Sequence, residues 1–332
     1  MKISVIGSGG WGTALALHLA RLGNKICLWS YLPEESERLK ADRENKEFLP
    51  GVPFEGADIE FTSDLDEAAD FGEIIVSAVP SVAVRSTAEK LAGKADGKII
   101  VNVSKGIDEK SLERISEVFD EMLPHSPIVV LSGPSHAEEV ARGIPTTNVA
   151  ASTDPEAAKT VQGIFNGAYF RVYTNPDVCG VELGGAMKNV IALCAGITDG
   201  CGFGDNTKAA LMTRGLHEIT RLGVAMGANE KTFAGLSGVG DLIVTCTSMH
   251  SRNRRAGILI GQGKSLKEAL DEVHMTVEGV SATRAGHALG QKYDVELPII
   301  DQAYAVLFEG KNPAEAVKDL MTRSAKSEDQ LL

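Results

Sequence analysis

The sequence predicts an α/β fold in two parts: a doubly wound, mostly parallel sheet over residues 1–178 and an all-helical domain over residues 179–332. A chain of 332 residues has room for two domains, because one domain commonly takes about 100–200 residues. In the first part, short β-branched runs alternate with helical stretches, which favours βαβ units and a parallel sheet. After Asn175-Pro176-Asp177 the periodicity is helical almost throughout, so we place the boundary near residue 178.

The strands of the first domain are predicted from apolar runs that end in Gly, Pro or Ser, a pattern typical of strands buried on both faces. They lie at Lys2–Ile6 and Lys25–Trp29, within Glu73–Pro80, Lys98–Gly106 and Pro127–Ser135, and at Thr147–Ala151 and Phe170–Tyr173. Helices are predicted at Gly12–Leu22 and Glu34–Asp42. In such a sheet, ligands gather at the carboxyl ends of the strands.

The second domain is predicted from helical periodicity alone. Its helices are expected at Val181–Ile197, Asn206–Met226, Thr232–Leu236, Ser251–Gly261, Ser265–Glu272, Val280–Tyr293, Pro298–Leu307 and Pro313–Leu320. The first of these carries only three polar side chains, Glu182, Lys188 and Asn189. A helix this apolar is expected at the centre of its domain.

Composition excludes several classes of protein. The chain has 33 basic and 45 acidic residues, a net charge of −12, which argues against nucleic acid or an anionic membrane as partner. The five cysteines form no Cys-x-x-Cys pair and the histidines do not cluster, so we expect neither a disulfide framework nor a metal site. Met1 runs directly into a strand-like segment, so we expect no cleavable signal peptide. Apolar runs such as Val190–Ile197 are shorter than the roughly 20 residues that a membrane span needs. We expect a cytoplasmic protein without stable membrane insertion.

A glycine-rich turn follows the first predicted strand. The segment Gly7-Ser8-Gly9-Gly10-Trp11-Gly12 matches G-x-G-x-x-G and opens a helix, which is the context of a Rossmann-type dinucleotide site. In that reading Gly7 permits the tight turn, Gly9 admits the pyrophosphate and Gly12 allows close packing of helix and strand. The alternative is a glycine-rich turn without a ligand.

The end of the second strand leaves the choice of dinucleotide open. An NAD-specific site would carry Asp or Glu there for the ribose 2′-hydroxyl, but this chain has Trp29-Ser30-Tyr31. The first acids are Glu34 and Glu35, and the first basic residue is Arg38. Tyr31 is suited to stack on adenine. We therefore expect NAD(P)H, with the preference between NADH and NADPH unresolved.

Two lysines are candidates for chemistry. Lys105 follows a buried strand and is aimed at the crevice; the alternative is a surface lysine. Lys188 lies in the apolar helix, where burial and a nearby second cation such as Lys105 would lower its pKa. An ammonium tuned in this way serves as an acid or base near neutral pH. The alternatives are a lysine that reaches the surface or one paired with Glu182.

A basic cluster follows Asp241. Ser251 is a plausible N-cap for a helix that begins Arg252-Asn253-Arg254-Arg255. Three positive charges at the start of a helix are unfavourable next to the positive end of its dipole, unless an anion binds there. A phosphate met by backbone N–H groups, Ser251 and an arginine would relieve that conflict. The alternative is a solvated basic face. Asp241, behind Gly238-Val239-Gly240, is placed to bind substrate hydroxyls or to orient Lys188.

Several segments together resemble the bacterial NAD(P)-dependent glycerol-3-phosphate dehydrogenases. They are GSGGWGTALA, VSKG, SGPS, ELGGAMKNVIA, GVGDLIVTCTS and SRNRR, in the order of that family and from residue 7 to about 280. The resemblance implies NAD(P)H-dependent, reversible reduction of dihydroxyacetone phosphate to sn-glycerol 3-phosphate, a precursor for phospholipid synthesis. It also implies a small phosphorylated triose as substrate. The helical second domain is a candidate for a homodimer interface.

The resemblance also assigns residues. It implies that Lys188 is the proton donor or acceptor and that Lys105 contacts both cofactor and substrate. The other implied substrate contacts are Gly133, Ser135, Asp241, Ser251, Arg252 and Asn253. The implied cofactor contacts besides the glycine-rich turn (Gly7, Gly9, Gly10, Trp11, Gly12) are Tyr31, Lys105, Ala137, Arg252, Thr276 and Glu278. Ser135 is often threonine in the family, and Tyr31 replaces a usual His or Arg.

Two other functions remain open at this point. One is a related two-domain dehydrogenase of a 3-hydroxy acid, in which Arg252 would bind a carboxylate. The other is a non-catalytic dinucleotide sensor, for which Lys188 in its apolar helix would have no purpose.

Overall fold

The computed structural model describes residues 1–325, 327 and 328, and the chain divides into two compact units. The first comprises residues 1–104 and 113–178, and the second comprises 105–112 and the described residues from 179 onward. Residues 105–112, which the sequence prediction placed in the first domain, pack with the second, and Ile107 lies in its hydrophobic core. Residues 326 and 329–332 of the predicted second domain lie outside the described residues.

The first unit is built on one eight-stranded sheet of order β3-β2-β1-β4-β5-β6-β7-β8. Its strands are β1 Lys2–Ile6, β2 Lys25–Trp29, β3 Ile59–Thr62, β4 Ile74–Ser77, β5 Ile99–Asn102, β6 Ile128–Ser132, β7 Thr146–Ala151 and β8 Phe170–Asn175. Neighbouring strands are parallel except β6 and β7. The prediction of a mostly parallel sheet is therefore confirmed, although β3 was not predicted.

Helices cover both faces of this sheet. They are α1 Gly10–Arg21, α2 Pro33–Asp42, α3 Leu65–Phe71, α4 Val84–Leu91, α5 Ile115–Met122, α6 Ala137–Ala141 and α7 Pro155–Phe165. Successive side chains of one strand enter different cores: Ile74 and Val76 of β4 lie in one cluster, and Ile75 lies in the other. Two cores on opposite faces of one sheet make the unit doubly wound, as predicted.

Among the described residues, the regular elements of the second unit are all helices. After α8 Val178–Gly200 come α9 Asp205–Ala225, α10 Glu230–Phe233, α11 Asp241–Thr247, α12 Arg252–Gly261, α13 Leu266–Val273, α14 Glu278–Tyr293, α15 Pro298–Phe308 and α16 Pro313–Met321. A π-helical turn at Leu236–Gly240 leads into α11, which the sequence analysis did not predict, as it did not predict α3 to α7 of the first unit. Every residue of α8 from Gly180 to Thr198 is buried, which confirms that this helix is central.

On length and composition alone, α8 could cross a membrane. The sequence analysis did not count it because Glu182, Lys188 and Asn189 interrupt its apolar run. In the structure, 89% of its most apolar window is buried inside the protein. The core helix of a globular domain has the same property, so this helix is weak evidence for a membrane span.

Candidate active site

The glycine-rich turn joins β1 to α1 beside the end of β4, where the strand order of the sheet changes direction. Gly7 has φ +117°, and a Cβ there would lie 2.7 Å from the carbonyl oxygen of Ala78. A Cβ on Gly12 would lie 1.9 Å from the carbonyl oxygen of Gly7. A Cβ on Gly9, in contrast, would meet no atom within 4 Å. The fold therefore requires Gly7 and Gly12, whereas the space above Gly9 is open to a ligand.

Asn45 holds this turn in place. Its Nδ2 donates to the Ser8 carbonyl oxygen and to Thr13 Oγ1, at 2.8 Å each, and Thr13 Oγ1 donates to the same carbonyl at 3.0 Å. Asn45 is buried. The sequence analysis missed it because the loop between α2 and β3 has no periodic pattern.

The end of β2 also fits a dinucleotide. Ser30 Oγ, directly after β2, is a buried polar atom with no hydrogen-bond partner among the described residues, and Trp11 Nε1 in the first turn of α1 is another. Buried polar groups are rarely left unsatisfied without a ligand or water to complete them. Tyr31 is 71% exposed, and Lys90 Nζ lies 6.0 Å from the centre of its ring. Glu35 accepts a hydrogen bond from Ser8 Oγ at 2.9 Å, which brings a carboxylate to the edge of the turn.

The turn after β6 carries three further predicted residues. Gly133 has φ +147°, and its carbonyl oxygen accepts a hydrogen bond from Ser135 Oγ at 2.9 Å. Ser135 Oγ also lies 3.3 Å from Asn148 Oδ1. Ala137 begins α6 close to the glycine-rich turn, since a Cβ on Gly10 would lie 3.7 Å from the Ala137 Cβ. The first unit thus brings Ala137 and Gly10 together.

The second unit brings three predicted residues into direct contact. Lys188 Nζ on α8 donates to Asp241 Oδ1 at 2.5 Å, and Lys105 Nζ donates to Asp241 Oδ2 at 2.6 Å. Asp241 is the first residue of α11, and Lys105 belongs to the segment 105–112. The Lys188 and Asp241 side chains are 7% and 1% exposed, and that of Lys105 is 19% exposed. The partner of Lys188 is therefore Asp241, which was one of the two roles predicted for this aspartate.

The charges of this cluster shift its proton equilibria. Burial lowers the pKa of Lys188 to about 8; the Asp241 carboxylate opposes this shift, and the Lys105 ammonium adds to it. For Asp241, burial favours a higher pKa, but the two ammonium groups outweigh it and hold the pKa below its usual value. Asp241 is thus an anion, while Lys188 exchanges its proton near neutral pH. That combination suits general acid–base catalysis.

Thr245 is a member of the cluster that the sequence analysis missed. Its Oγ1 accepts a hydrogen bond from Lys188 Nζ at 2.6 Å and donates one to the Asp241 carbonyl oxygen at 2.6 Å. It lies four residues after Asp241 on α11, so both side chains share one helix face. The spacing would have revealed it, had the helix been predicted.

The start of α12 is capped as predicted. Ser251 is the N-cap, and its Oγ accepts a hydrogen bond from the Arg254 N–H at 3.2 Å. Asn253 Nδ2 donates to Asn189 Oδ1 at 2.9 Å, and Asn253 Oδ1 accepts from the Gly279 N–H at 2.8 Å. Asn253 therefore links the neighbour of Lys188 to the first turn of α14.

The interpretation of the three arginines needs a correction. Arg254 forms an ion pair with Asp199 at 2.8 Å, so a protein carboxylate, and not a ligand, balances its charge. Of the other predicted residues, Arg252 opens α12, Glu278 opens α14 and Thr276 is exposed just before it. The roles assigned to these residues toward cofactor and substrate stay predictions. Among the described residues, no group of His, Cys, Asp or Glu side chains could hold a metal ion.

Comparison with known proteins identifies the family. Residues 2–158 match the model of the NAD-dependent glycerol-3-phosphate dehydrogenase N-terminus, and residues 177–318 match that of its C-terminus. Proteins described as glycerol-3-phosphate dehydrogenase [NAD(P)+] are 58% identical in Thermoanaerobacter sp. (strain X514) and 55% identical in Fusobacterium nucleatum, over 99% of each chain. The crystal structure of the Coxiella burnetii glycerol-3-phosphate dehydrogenase has a TM-score of 0.93 at 39% identity, covering 97% of this chain and 98% of that one. The chain belongs to the NAD-dependent glycerol-3-phosphate dehydrogenase family.

Proposed function

We propose that this chain reversibly reduces dihydroxyacetone phosphate to sn-glycerol 3-phosphate, with NADH or NADPH as the hydride donor. Membership of the family supports the reaction class and the use of NAD(P). The observation that carries the assignment of the proton donor is the buried Lys188 ammonium, bound to Asp241 and with a pKa near 8. The product would supply the glycerophosphate unit of phospholipids.

The first unit has the features that a dinucleotide needs. The open face of Gly9, the start of α1 and the unpartnered Trp11 Nε1 fit a pyrophosphate beside the turn. In this proposal the turn Gly7–Gly12, Tyr31 and Ala137 hold the cofactor. Lys105, Arg252, Thr276 and Glu278 are the further cofactor contacts that the family resemblance implies. When bound, the nicotinamide supplies the hydride.

The substrate phosphate is assigned to the start of α12. This ten-residue helix presents backbone N–H groups beside Ser251, and Arg252 and Asn253 stand in its first turn. A dianion is favoured at a helix N-terminus because the N–H groups and the helix dipole attract negative charge. Gly133 and Ser135 are assigned as further substrate contacts.

Proton transfer is assigned to Lys188. During reduction its ammonium donates a proton to the substrate carbonyl oxygen as negative charge develops there; in the reverse direction the neutral amine takes that proton back. Lys105, the second ammonium on Asp241, would stabilise the same developing charge. Asp241 and Thr245 hold Lys188 Nζ, so the direction of its remaining N–H bond is restricted.

An absorbance assay tests this function. Purified protein is mixed with dihydroxyacetone phosphate and either NADH or NADPH, and the loss of absorbance by the reduced nicotinamide is followed. We expect rapid oxidation of at least one dinucleotide, and the ratio of the two kcat/KM values gives the preference. A folded protein that binds a dinucleotide but oxidises neither would contradict the substrate assignment, and 3-oxo acids would be tested next.

We also infer a cytoplasmic location and a homodimer. The net charge of −12 supports a location away from anionic surfaces. The apolar side chains of Val224, Ile243 and Met249 in the second unit are exposed, and an interface between copies would bury them. Light scattering on the purified chain, coupled to gel filtration, measures the number of copies.

A further inference from the structure

Asp199, near the end of α8, receives charged hydrogen bonds from two other helices. Its Oδ2 accepts from Arg254 Nε at 2.9 Å and lies 2.8 Å from Arg254 Nη2, and its Oδ1 lies 2.7 Å from Lys208 Nζ on α9. The three side chains are between 13% and 18% exposed. One carboxylate oxygen of Asp199 thus meets two nitrogens of the Arg254 guanidinium, and the other oxygen meets the Lys208 ammonium, so both oxygens are held by charged donors.

Arg254 extends the connection to the catalytic cluster. Its Nη1 donates to the carbonyl oxygen of Thr247, the last residue of α11, at 3.1 Å. Its backbone N–H is the group that Ser251 caps. The Arg254 side chain therefore ties the first turn of α12 to the ends of α8 and α11, the two helices that carry Lys188 and Asp241.

The backbones of α8 and α12 also touch. A Cβ on Gly196 would lie 2.1 Å from the Arg254 carbonyl oxygen, and a Cβ on Gly257 would lie 2.1 Å from the Leu193 carbonyl oxygen. Gly200 and Gly261 continue the same contact one turn further along. Steric contact thus sets the distance between the two helices, and the Asp199–Arg254 pair sets the orientation of the first turn of α12.

We propose that Asp199 is a positioning residue for the phosphate of the substrate. It balances the charge of Arg254 and holds the turn that presents Ser251, Arg252 and Asn253. The inference rests on the proposed function, because it takes the start of α12 as the phosphate site. Asp199 does not contact Lys188 in this arrangement, so its removal should weaken phosphate binding and leave proton transfer in place.

The test compares substrates with and without the phosphate. In Asp199→Asn we expect the KM for dihydroxyacetone phosphate to rise about 10- to 100-fold, the range of one or two lost hydrogen bonds to a charged group. We expect kcat to stay within about threefold of wild type, because the Asp199–Arg254 pair affects binding of the substrate and not proton transfer. The kcat/KM for dihydroxyacetone, which has no phosphate, should not change. Asp205→Asn, which alters an exposed carboxylate on α9, is the matched control and should behave as wild type.

Two further variants guard against a folding defect, which circular dichroism would detect. Asp199→Glu keeps the charge and should recover part of the lost affinity; Arg254→Lys keeps its charge but loses the planar fork and should reproduce the rise in KM. Equal losses of kcat/KM for dihydroxyacetone phosphate and dihydroxyacetone would mean that Asp199 supports the whole active site. An unchanged KM for dihydroxyacetone phosphate would mean that Asp199 has no part in phosphate binding. Either result overturns the inference. If the wild type does not reduce dihydroxyacetone phosphate, the proposed function itself has failed.

Discussion

Lys188 and Asp241 form a buried ion pair, with Nζ and Oδ1 2.5 Å apart. Burial penalises the lysine charge, and the aspartate restores part of it, so the pKa of Lys188 falls only to about 8. An isolated buried ammonium would lose its proton more readily, and an exposed one would hold it more tightly. The pair therefore places proton exchange by Lys188 near physiological pH.

Removal of Lys188 should affect chemistry more than binding. We expect Lys188→Ala to lower kcat about 10²- to 10⁴-fold, the usual contribution of one general acid–base group. The affinity for NADH or NADPH, measured by nicotinamide fluorescence, should stay near that of wild type. Lys267→Ala, at a lysine that is 85% exposed, is the control and should keep full activity. A fall in kcat of less than tenfold would rule out this role.

The pH dependence should differ in sign between the two directions. Reduction needs the ammonium of Lys188, so kcat for reduction should fall as pH rises through about 8. Oxidation of glycerol 3-phosphate needs the neutral amine, so its kcat should rise over the same interval. Rates measured from pH 6 to 10 in both directions test this, and parallel profiles would contradict it.

Asp241→Asn should move both profiles. The carboxylate raises the pKa of Lys188, so its replacement by a neutral amide should shift each transition to lower pH. We expect a lower kcat as well, because the amide carries no charge and has one acceptor oxygen for the two ammonium groups of Lys188 and Lys105. Transitions that stay at the wild-type pH would show that Asp241 does not set the pKa of Lys188.

Site residues could be predicted from the sequence where a reactive or ligand-binding residue type interrupts or ends a clear apolar pattern. The glycine-rich turn follows a continuous apolar strand, and Lys188 interrupts an otherwise apolar helix, so both stood out. The helix α11 was missed because its residues, DLIVTCT, are mostly β-branched and favour a strand by propensity. Thr245 was missed with it, since its spacing from Asp241 has meaning only on a helix.

Other features depend on contacts that no local pattern reveals. The short strand β3 has only four residues, Ile59–Thr62, which is too few for a periodic signal in the sequence. Residues 105–112 belong to the second unit because Ile107 and Leu112 pack with its core and Lys105 pairs with Asp241. Asp199 and Arg254 are 55 positions apart in sequence, so no local pattern predicts that they pair. Their pairing shows that a protein carboxylate balances one of the three arginines that the sequence analysis assigned to an anion.

Two glycines of the turn should respond differently to alanine. In Gly12→Ala the new Cβ would meet the Gly7 carbonyl oxygen, so we expect Tm to fall by roughly 2–12 °C, as overpacking does. In Gly9→Ala the new Cβ has space, and Tm should hold while the Kd for the dinucleotide rises at least about tenfold, because the methyl group takes the place of the pyrophosphate. Trp11 and Trp29, both in the first unit, report its unfolding by fluorescence. Normal binding by Gly9→Ala would contradict the assigned site.

Glu218 should make the stability of the second unit depend on pH. Its carboxylate on α9 is buried and accepts hydrogen bonds from the N–H groups of Ile299 at 2.7 Å and Ile300 at 3.2 Å, in the first turn of α15. Burial raises its pKa from 4.5 to about 7, although these two bonds oppose the shift. A raised pKa means that the folded state holds the proton more tightly than the unfolded state does. The associated stability is therefore fully present below about pH 4.5 and is lost as pH rises to about 7, a change of roughly 3 kcal/mol in the free energy of unfolding.

Glu218→Gln removes the titration and keeps the shape. We expect the variant to lose about 1 kcal/mol at pH 4.5, because its amide NH2 cannot accept a hydrogen bond from one of the two N–H groups, whereas the hydroxyl oxygen of the protonated acid can. Between pH 4.5 and pH 8 the wild type should lose stability while the variant does not, so the difference between them should shrink or change sign. Urea unfolding followed by far-UV circular dichroism measures this, since both tryptophans lie in the first unit. If the two proteins lose stability in parallel over this range, Glu218 is not the group that titrates.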